Sequence, residues 1–417
     1  MKPQPRFLLA HATALAVASI APAASAGAQD IPEMSPEATA AFAEGMAHYT
    51  ATEYREASAA FARAYALDPS FAVAAFFEGV NWVNAGEPDS ARAAYARATA
   101  GRDRMSAYYR HRLDAHLASL GGDRKAYLEA NREAARIAPG SKAEYNVAQG
   151  TVGFLRSGEA LRSLANLDPR RAPMKGWLGY WTVRHRAQHL AGDYEAELAS
   201  AREARQLFPD QPAVYYDEAE ALIALGRIDE LPAVVEAFGS LEAAFPPFLV
   251  TMAAEAEAHG EPGAARDLLD RAMQEFAALP AEAAAGNTAR NWKGIAHHAR
   301  GEFEEAARIY RELSRENPGN DWYRASAGVM AAERGDRAAA DTEIRRLLDK
   351  ETAADAGDLS MYAANIAAAL GDAERFAVLS ARARAAGYAY GDWDHRYYAY
   401  RKIRGHPAYR AFISPSG

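Results

Sequence analysis

The sequence predicts an all-α protein that is built from a stacked array of helix–turn–helix repeats. Similar residues recur at intervals of 34 positions, so that Gly45 is followed by Gly79 and Phe61 by Tyr95. A fixed period of this length is typical of a helical solenoid, in which each repeat packs on its neighbours. Within a repeat, apolar residues are spaced three and four apart, as they are on one face of a helix.

The first 26 residues have the three parts of a secretory signal peptide. Lys2 and Arg6 form a basic start, residues 7–20 are mostly apolar, and small residues lead up to Ala26. We therefore expect an exported protein, periplasmic or extracellular, that is cleaved after Ala26 or after Ala28. An uncleaved membrane anchor is the alternative, but the apolar run is shorter than the ~20 residues that a span needs.

The composition excludes several classes of site. The chain has 417 residues, no cysteine and a net charge of −8. Disulfides, thiolate metal sites and cysteine nucleophiles are therefore excluded, and the acidic balance argues against a general affinity for nucleic acid. A basic cluster near the end of the chain is interpreted as a solvent-exposed helix face; it comprises Arg396, Arg401, Lys402 and Arg404.

The first repeat contains signals for both of its helices. After a linker of residues 27–36, Ser35 and Pro36 predict an N-cap and a first helical position. The chain is expected to turn near Thr52. Proline cannot continue a helix, so Pro69 predicts the end of the second one.

The spacing of small and aromatic residues resembles that of the tetratricopeptide repeat (TPR) family. In that family, small residues, aromatics and a proline occupy fixed positions of a 34-residue unit. Those positions hold Gly45, His48, Ala57, Phe61, Ala64 and Pro69 in the first repeat, and Gly294, Ala306, Tyr310, Leu313 and Pro318 in the repeat at 287–320. The resemblance implies a right-handed superhelical solenoid of about nine repeats over residues 37–390. Residues 391–417 would form a C-terminal capping segment and tail, since solenoids need capped ends.

The resemblance also implies a non-catalytic scaffold that binds a protein or peptide in a concave groove lined by the first helix of each repeat. The N-terminal part of this groove would be apolar, and the middle part would suit a polar or acidic segment. Packing of these side chains on neighbouring helices is the alternative. The apolar part comprises Phe42, Met46, Tyr49, Phe76, Val80 and Val83; the polar part comprises Arg186, His189, Tyr216 and Glu220, with Arg112 and His116 in the third repeat.

No complete enzyme motif is present in the sequence, so we expect neither catalysis nor a cofactor. His185 and His189 lie four residues apart on a predicted helix, but no third ligand is identifiable, and we expect no metal site. An enzyme with an unrecognised site stays a minor alternative.

A second alternative is a carbohydrate- or peptidoglycan-binding module of the cell envelope, because aromatic doublets recur along the chain. We expect no membrane span once the signal peptide is removed. The doublets are Tyr108-Tyr109, Tyr180-Trp181, Tyr215-Tyr216 and Tyr397-Tyr398.

Overall fold

The computed structural model describes residues 35–171, 173–241, 245–391 and 393–415. The predicted signal peptide and most of the predicted linker lie outside these residues. The described part consists of helices, turns and connecting segments without a β-strand, which confirms the predicted all-α class. None of the helices in these ranges is both long and apolar enough to cross a membrane.

The described helices follow one another along the chain as ten helix–turn–helix pairs, compared with the roughly nine repeats that were predicted. They are α1 (Pro36–Thr50) with α2 (Tyr54–Leu67), α3 (Ala72–Asn84) with α4 (Pro88–Ala100), α5 (Ala107–Leu120) with α6 (Arg124–Ile137), α7 (Lys142–Val152) with α8 (Ser157–Ala165), α9 (Leu178–Ala191) with α10 (Tyr194–Leu207), α11 (Pro212–Ala224) with α12 (Leu231–Gly239), α13 (Phe245–Ala258) with α14 (Pro262–Ala278), α16 (Asn287–Ala299) with α17 (Phe303–Glu316), α18 (Asp321–Glu333) with α19 (Arg337–Lys350), and α20 (Asp358–Ala369) with α21 (Ala373–Ala385). A short helix, α15 (Ala281–Ala285), precedes α16, and α22 (Pro407–Ile413) lies near the end of the chain.

The chain divides into two units, with the boundary between Ala187 and Gln188. We call the described residues of 35–187 the N-terminal unit and those of 188–415 the C-terminal unit. Each is treated separately below.

The recurring glycines allow the two helices of a hairpin to approach closely. A Cβ atom at Gly45 would lie 2.8 Å from ring carbons of Phe61 on the partner helix. At Gly294 it would lie 3.0 Å from the ring of Tyr310. The glycine and the aromatic occupy the same two positions in repeats that are far apart in the chain. The 34-residue period therefore reflects packing, because the absence of a side chain on the first helix leaves space for an aromatic ring on the second.

The turns inside the hairpins require a left-handed residue, and glycine usually supplies it. Gly192 and Gly260 have φ values of +74° and +82° at equivalent turns, a region that glycine enters without the steric penalty of a Cβ atom. Thr52 takes this position in the first hairpin, with φ of +63°. The turn predicted near Thr52 is therefore confirmed, although it forms with a strained residue.

The chain beyond α21 packs along the C-terminal unit. We call residues 388–391 and 393–413 the C-terminal segment. Its Tyr400 ring is buried 5.6 Å from Phe376 on α21, which is the contact expected of a cap on the last hairpin. The same segment also reaches α13: His395 Nε2 lies 2.8 Å from Glu255 Oε2, 140 positions earlier. Its contacts thus extend across several first helices of the C-terminal unit.

Candidate functional site

The apolar residues predicted to line the N-terminal groove are mostly parts of one hydrophobic cluster. The Phe42 ring packs 4.8 Å from Phe71 and 5.1 Å from Phe61. Phe76 is 2% exposed, and its ring lies 5.3 Å from that of His116. The rings therefore hold successive hairpins together. Val80 is buried in the same cluster, Met46 and Tyr49 pack against it half-buried, and Val83 is 39% exposed.

A basic surface lies beside this cluster, on the first helices of the third and fourth hairpins. Arg112 on α5 donates a hydrogen bond to the Tyr108 hydroxyl at 3.1 Å, and its Nε atom is buried without a hydrogen-bond partner among the described residues. Lys142, at the start of α7, places its Nζ over the ring of Trp177, 2.8 Å from the centroid. Within the described ranges neither cation has an ion-pair partner. Two cations on first helices are thus left without a compensating acid.

The electrostatics of nearby groups confirm that these cations share one environment. Burial, and after it the positive charges of Arg112 and Lys142, lower the pKa of His116 to about 3. Burial, followed by the charge of Arg112, also holds the pKa of Lys142 well below its usual range. An anion placed here would reverse both charge effects, since an opposite charge favours the protonated forms.

In the C-terminal unit, the four basic residues that were predicted to form a solvent-exposed helix face are paired with acids. The prediction is wrong for Arg396, which is buried, and for Arg401 and Arg404, which are half-buried, whereas Lys402 is exposed. The Arg396 side chain is 1% exposed and lies 2.5 Å from Glu220 Oε1 and 3.0 Å from Glu255 Oε2. The other three, Arg401, Lys402 and Arg404, contact Glu257 on α13, Glu333 on α18 and Glu257 respectively. The sequence pattern could not reveal this, because the acidic partners lie far away in the chain.

Around Glu255 on α13, three imidazoles converge on one buried carboxylate. Its Oε1 lies 3.2 Å from His189 Nε2 and 2.8 Å from His259 Nε2, and its Oε2 lies 2.8 Å from His395 Nε2. The four ligand-type atoms of this group lie within 4.8 Å of one another. Burial opposes the charged form of His189, but the carboxylates of Glu197 and Glu255 raise its pKa well above the usual value.

Three further residues predicted for the polar part of the groove have different surroundings. Glu220 is brought next to His189, within the same 4.8 Å grouping that includes Glu197. The Tyr216 ring packs 4.9 Å from Phe248. Arg186 is half-buried and belongs to the N-terminal unit. His189 and Glu220 of the predicted set therefore meet at one place.

The cluster of possible metal ligands around Glu255 differs from the pair His185 and His189 that the sequence suggested. His185 is buried in the N-terminal unit, near Trp181 at 6.2 Å between ring centroids. The partners that join His189 come from positions 255, 259 and 395, and no short motif links such distant positions. A Glu–His pair four residues apart, Glu255 and His259, was the one local signal available.

The aromatic doublets offer few exposed rings for stacking on sugars. Both rings are buried in Tyr180-Trp181 and in Tyr397-Tyr398. In each of the other two doublets, the first ring is buried and the second is half-buried. These rings mainly serve packing.

The chain is similar to several solved structures at low sequence identity. No protein-family model matches the sequence, and no curated protein matches it. Among solved structures, a tetratricopeptide repeat protein from Parabacteroides merdae is similar, at 15% identity and a TM-score of 0.34, over 72% of this chain and 99% of that one. Yeast Tom70 is similar at 11% identity and a TM-score of 0.35, over 84% of this chain and 92% of that one. Similarity at this level supports no statement about function. The helix hairpins and their glycine–aromatic packing at a 34-residue step give this chain a TPR-like fold.

Proposed function

We propose that the protein is an exported, non-catalytic scaffold that binds an acidic segment of a partner protein on the first helices of its N-terminal unit. The observation that carries the proposal is the pair of basic side chains, Arg112 and Lys142, that have no acidic partner in the described ranges. Charge-assisted hydrogen bonds to a carboxylate are about twice as strong as neutral ones. A carboxylate of a bound segment would supply the missing counter-charge.

The surroundings of these cations suit a peptide better than a free ion. The half-buried rings of Tyr49 and Tyr109 adjoin the same cluster of rings as Phe76 and His116. Aromatic rings beside a charged group contribute apolar contact area, and such combinations are typical of hot spots in protein interfaces. An acidic side chain flanked by an apolar one would match this arrangement.

The basic pair can be tested with synthetic peptides. We would measure binding of a fluorescent Glu-containing peptide library and of its Gln-substituted counterpart by fluorescence polarisation. The double variant R112Q/K142Q is expected to lose roughly 10- to 100-fold in affinity for acidic peptides, since a hydrogen bond to a charged group is worth about 1.5–3 kcal/mol. The matched control is K125Q, a charge removed from an exposed position of the same unit.

The peptide-binding results distinguish support for the proposal from its contradiction. Preference for acidic over Gln-substituted peptides, lost in R112Q/K142Q and kept in K125Q, supports the proposal. Equal binding of both peptide types, or equal affinity of the folded double variant and the wild type, contradicts it. Circular dichroism establishes that each variant is folded. Phe42 and Phe76 are poor choices for this test, because both are buried in the core.

Export is a separate part of the proposal and rests on residues 1–26. Expression of the full chain in a bacterial host, followed by mass spectrometry of the periplasmic fraction, is expected to find a chain beginning at Gly27 or Gln29. Recovery of the uncleaved chain from the cytoplasm would contradict export.

A further inference from the structure

The buried carboxylate of Glu255 is surrounded by nitrogen atoms that do not all make hydrogen bonds to it. Its side chain is fully buried, and Oε1 has two imidazole nitrogens within 3.2 Å. Yet among the described residues no donor meets this oxygen with hydrogen-bond geometry. A buried carboxylate oxygen without a donor is costly. Short distances combined with poor donor angles indicate that the rings are aimed at a point beside the oxygen.

A divalent cation at that point would explain the distances. Zinc binds imidazole nitrogen and carboxylate oxygen at about 2.0–2.2 Å, so that two ligands of a tetrahedral site lie roughly 3.3 Å apart. The separations of Glu255 Oε1 from His189 Nε2 and His259 Nε2, 3.2 and 2.8 Å, are close to this edge length. The third imidazole, that of His395, completes a set of four ligands from three parts of the chain.

The neighbours of the four residues are those that a metal site needs. Histidine ligands usually direct their second nitrogen at a carboxylate or carbonyl, which fixes the ring orientation. His189 Nδ1 lies 3.0 Å from Glu197 Oε2, so that its Nε2 is left facing Glu255. Arg396 lies 3.0 Å from the other oxygen of Glu255, Oε2, and orients that carboxylate.

The chemistry of the buried group also suits a divalent cation. The carboxylates of Glu220 and Glu255 meet the guanidinium of Arg396, and the carboxylate of Glu197 faces His189. Buried charged groups are tolerated when they are paired or coordinate a metal, and a group of carboxylates and imidazoles is a set of ligands that a divalent ion can use.

We propose that His189, Glu255, His259 and His395 bind one divalent transition-metal ion, with zinc as the best fit to three imidazoles and one carboxylate. Four protein ligands leave no open position on a tetrahedral ion, which is the arrangement of structural rather than catalytic zinc sites. His395 belongs to the C-terminal segment, whereas Glu255 and His259 lie on and directly after α13. The ion would thus fasten the C-terminal segment to α13.

The direct test measures metal on the untagged full-length protein. After removal of metals with a chelator, the protein is dialysed against buffered zinc chloride, and bound zinc is determined by inductively coupled plasma mass spectrometry. One zinc ion per chain is expected. Fewer than about 0.1 zinc per chain, with the protein folded by circular dichroism, would overturn the proposal.

Variants locate the ion. H259Q removes a ligand that is partly exposed, and at least a 100-fold loss of zinc affinity is expected in a competition titration with a chromogenic chelator. E197Q changes the residue behind His189, and about a 10- to 100-fold loss is expected. The matched control is H297Q. His297 contacts Glu302 in the same unit and lies outside the proposed ligand set. The H297Q protein should therefore bind zinc as tightly as the wild type. Unchanged affinity in folded H259Q, or an equal loss in H297Q, would contradict this site.

A spectroscopic readout separates coordination from loose binding. Replacement of zinc by Co²⁺ should give the intense visible bands of a four-coordinate ion in the wild type and lose them in H395Q. The weak bands of hydrated, six-coordinate Co²⁺ in the wild type would rule out the proposed geometry.

Discussion

At the scale of single residues, the period of the sequence is set by pairs in which a glycine faces a ring. We predict that Gly45→Ala destabilises the protein by about 1–3 kcal/mol, because the added Cβ would lie 2.8 Å from the Phe61 ring and overpack the hairpin. The midpoint of thermal unfolding, followed by circular dichroism, should fall.

The matched control for this change is Gly263→Ala. Gly263 also lies in a helix, α14, but a Cβ atom there would have no neighbour within 4 Å. Alanine is a better helix former than glycine, so the control should be neutral or stabilising by up to ~1 kcal/mol. If both alanines behave alike, close packing at Gly45 is not what the period encodes.

A second prediction at the residue scale concerns His116 and pH. Its pKa is lowered from 6.5 to about 3 by burial and by the charges of Arg112 and Lys142, and its Nδ1 lies 3.0 Å from the Tyr95 hydroxyl. Below pH 6.5 the unfolded chain therefore binds a proton at this position that the folded chain does not. The free energy of unfolding should fall as pH falls from 6.5 towards 3, by up to about 1.4 kcal/mol per pH unit from this group.

The contribution of His116 can be isolated by comparison with H116Q, which keeps a polar side chain but cannot titrate. Urea unfolding at pH 7, 6 and 5 should show the wild type losing stability faster than the variant as the pH decreases. Parallel curves for the two proteins would mean that the folded state protonates His116 as readily as the unfolded one.

At the scale of elements, the C-terminal segment depends on buried ion pairs. We predict that Arg396→Ala destabilises the C-terminal unit by about 3–5 kcal/mol, because it leaves the carboxylates of Glu220 and Glu255 without their shared cation. Thermal unfolding measures the effect. Arg410→Ala, an exposed arginine of the same segment, should change stability by less than about 0.5 kcal/mol. Equal effects of the two variants would show that burial of Arg396 is not important.

The hairpins were predictable from the sequence because each depends on residues close together in the chain. The ring of Phe61 and the glycine that accommodates it, Gly45, are sixteen positions apart, and the turn at Gly192 is set by one residue's φ. Because these short-range requirements recur in successive repeats, they appear in the sequence as a fixed period.

The C-terminal segment follows no period, and the surroundings of its basic residues were therefore predicted wrongly. Arg396 looks like an ordinary surface residue until Glu255, 141 positions earlier, is placed beside it. Likewise His189, His259 and His395 form no motif along the chain, and only the fold brings them together. Phe42 and Phe76 were predicted to line the groove for a different reason. The spacing of apolar residues shows on which face of a helix a ring lies, but it does not distinguish a ring that lines a groove from one that packs in the core.

At the scale of the whole molecule, the two units have first helices with opposite charge requirements. In the N-terminal unit, Arg112 and Lys142 lack an acid in the described ranges. In the C-terminal unit, the acids Glu255 and Glu257 are met by the protein's own C-terminal segment. The C-terminal segment thus supplies the cations that face the acids of its own unit, whereas Arg112 and Lys142 would receive a counter-charge from the partner segment that we propose.

This difference predicts which backbone amides will lose protection from hydrogen exchange when the C-terminal segment is removed. In a chain that ends at Gly387, the amides of α11, α13 and α16 should exchange with deuterium faster than in the wild type, because Tyr398, Arg401 and their neighbours no longer cover them. In repeat arrays, stability depends mainly on contacts between neighbouring repeats. Exchange in α1–α6 should therefore match the wild type, as measured by mass spectrometry of peptic peptides. A chain that ends at Ile413 loses residues 414–417, of which the described Ser414 and Pro415 are exposed, and should match the wild type throughout. Loss of protection in α1–α6 of the shorter chain would mean that the C-terminal segment supports the fold of both units.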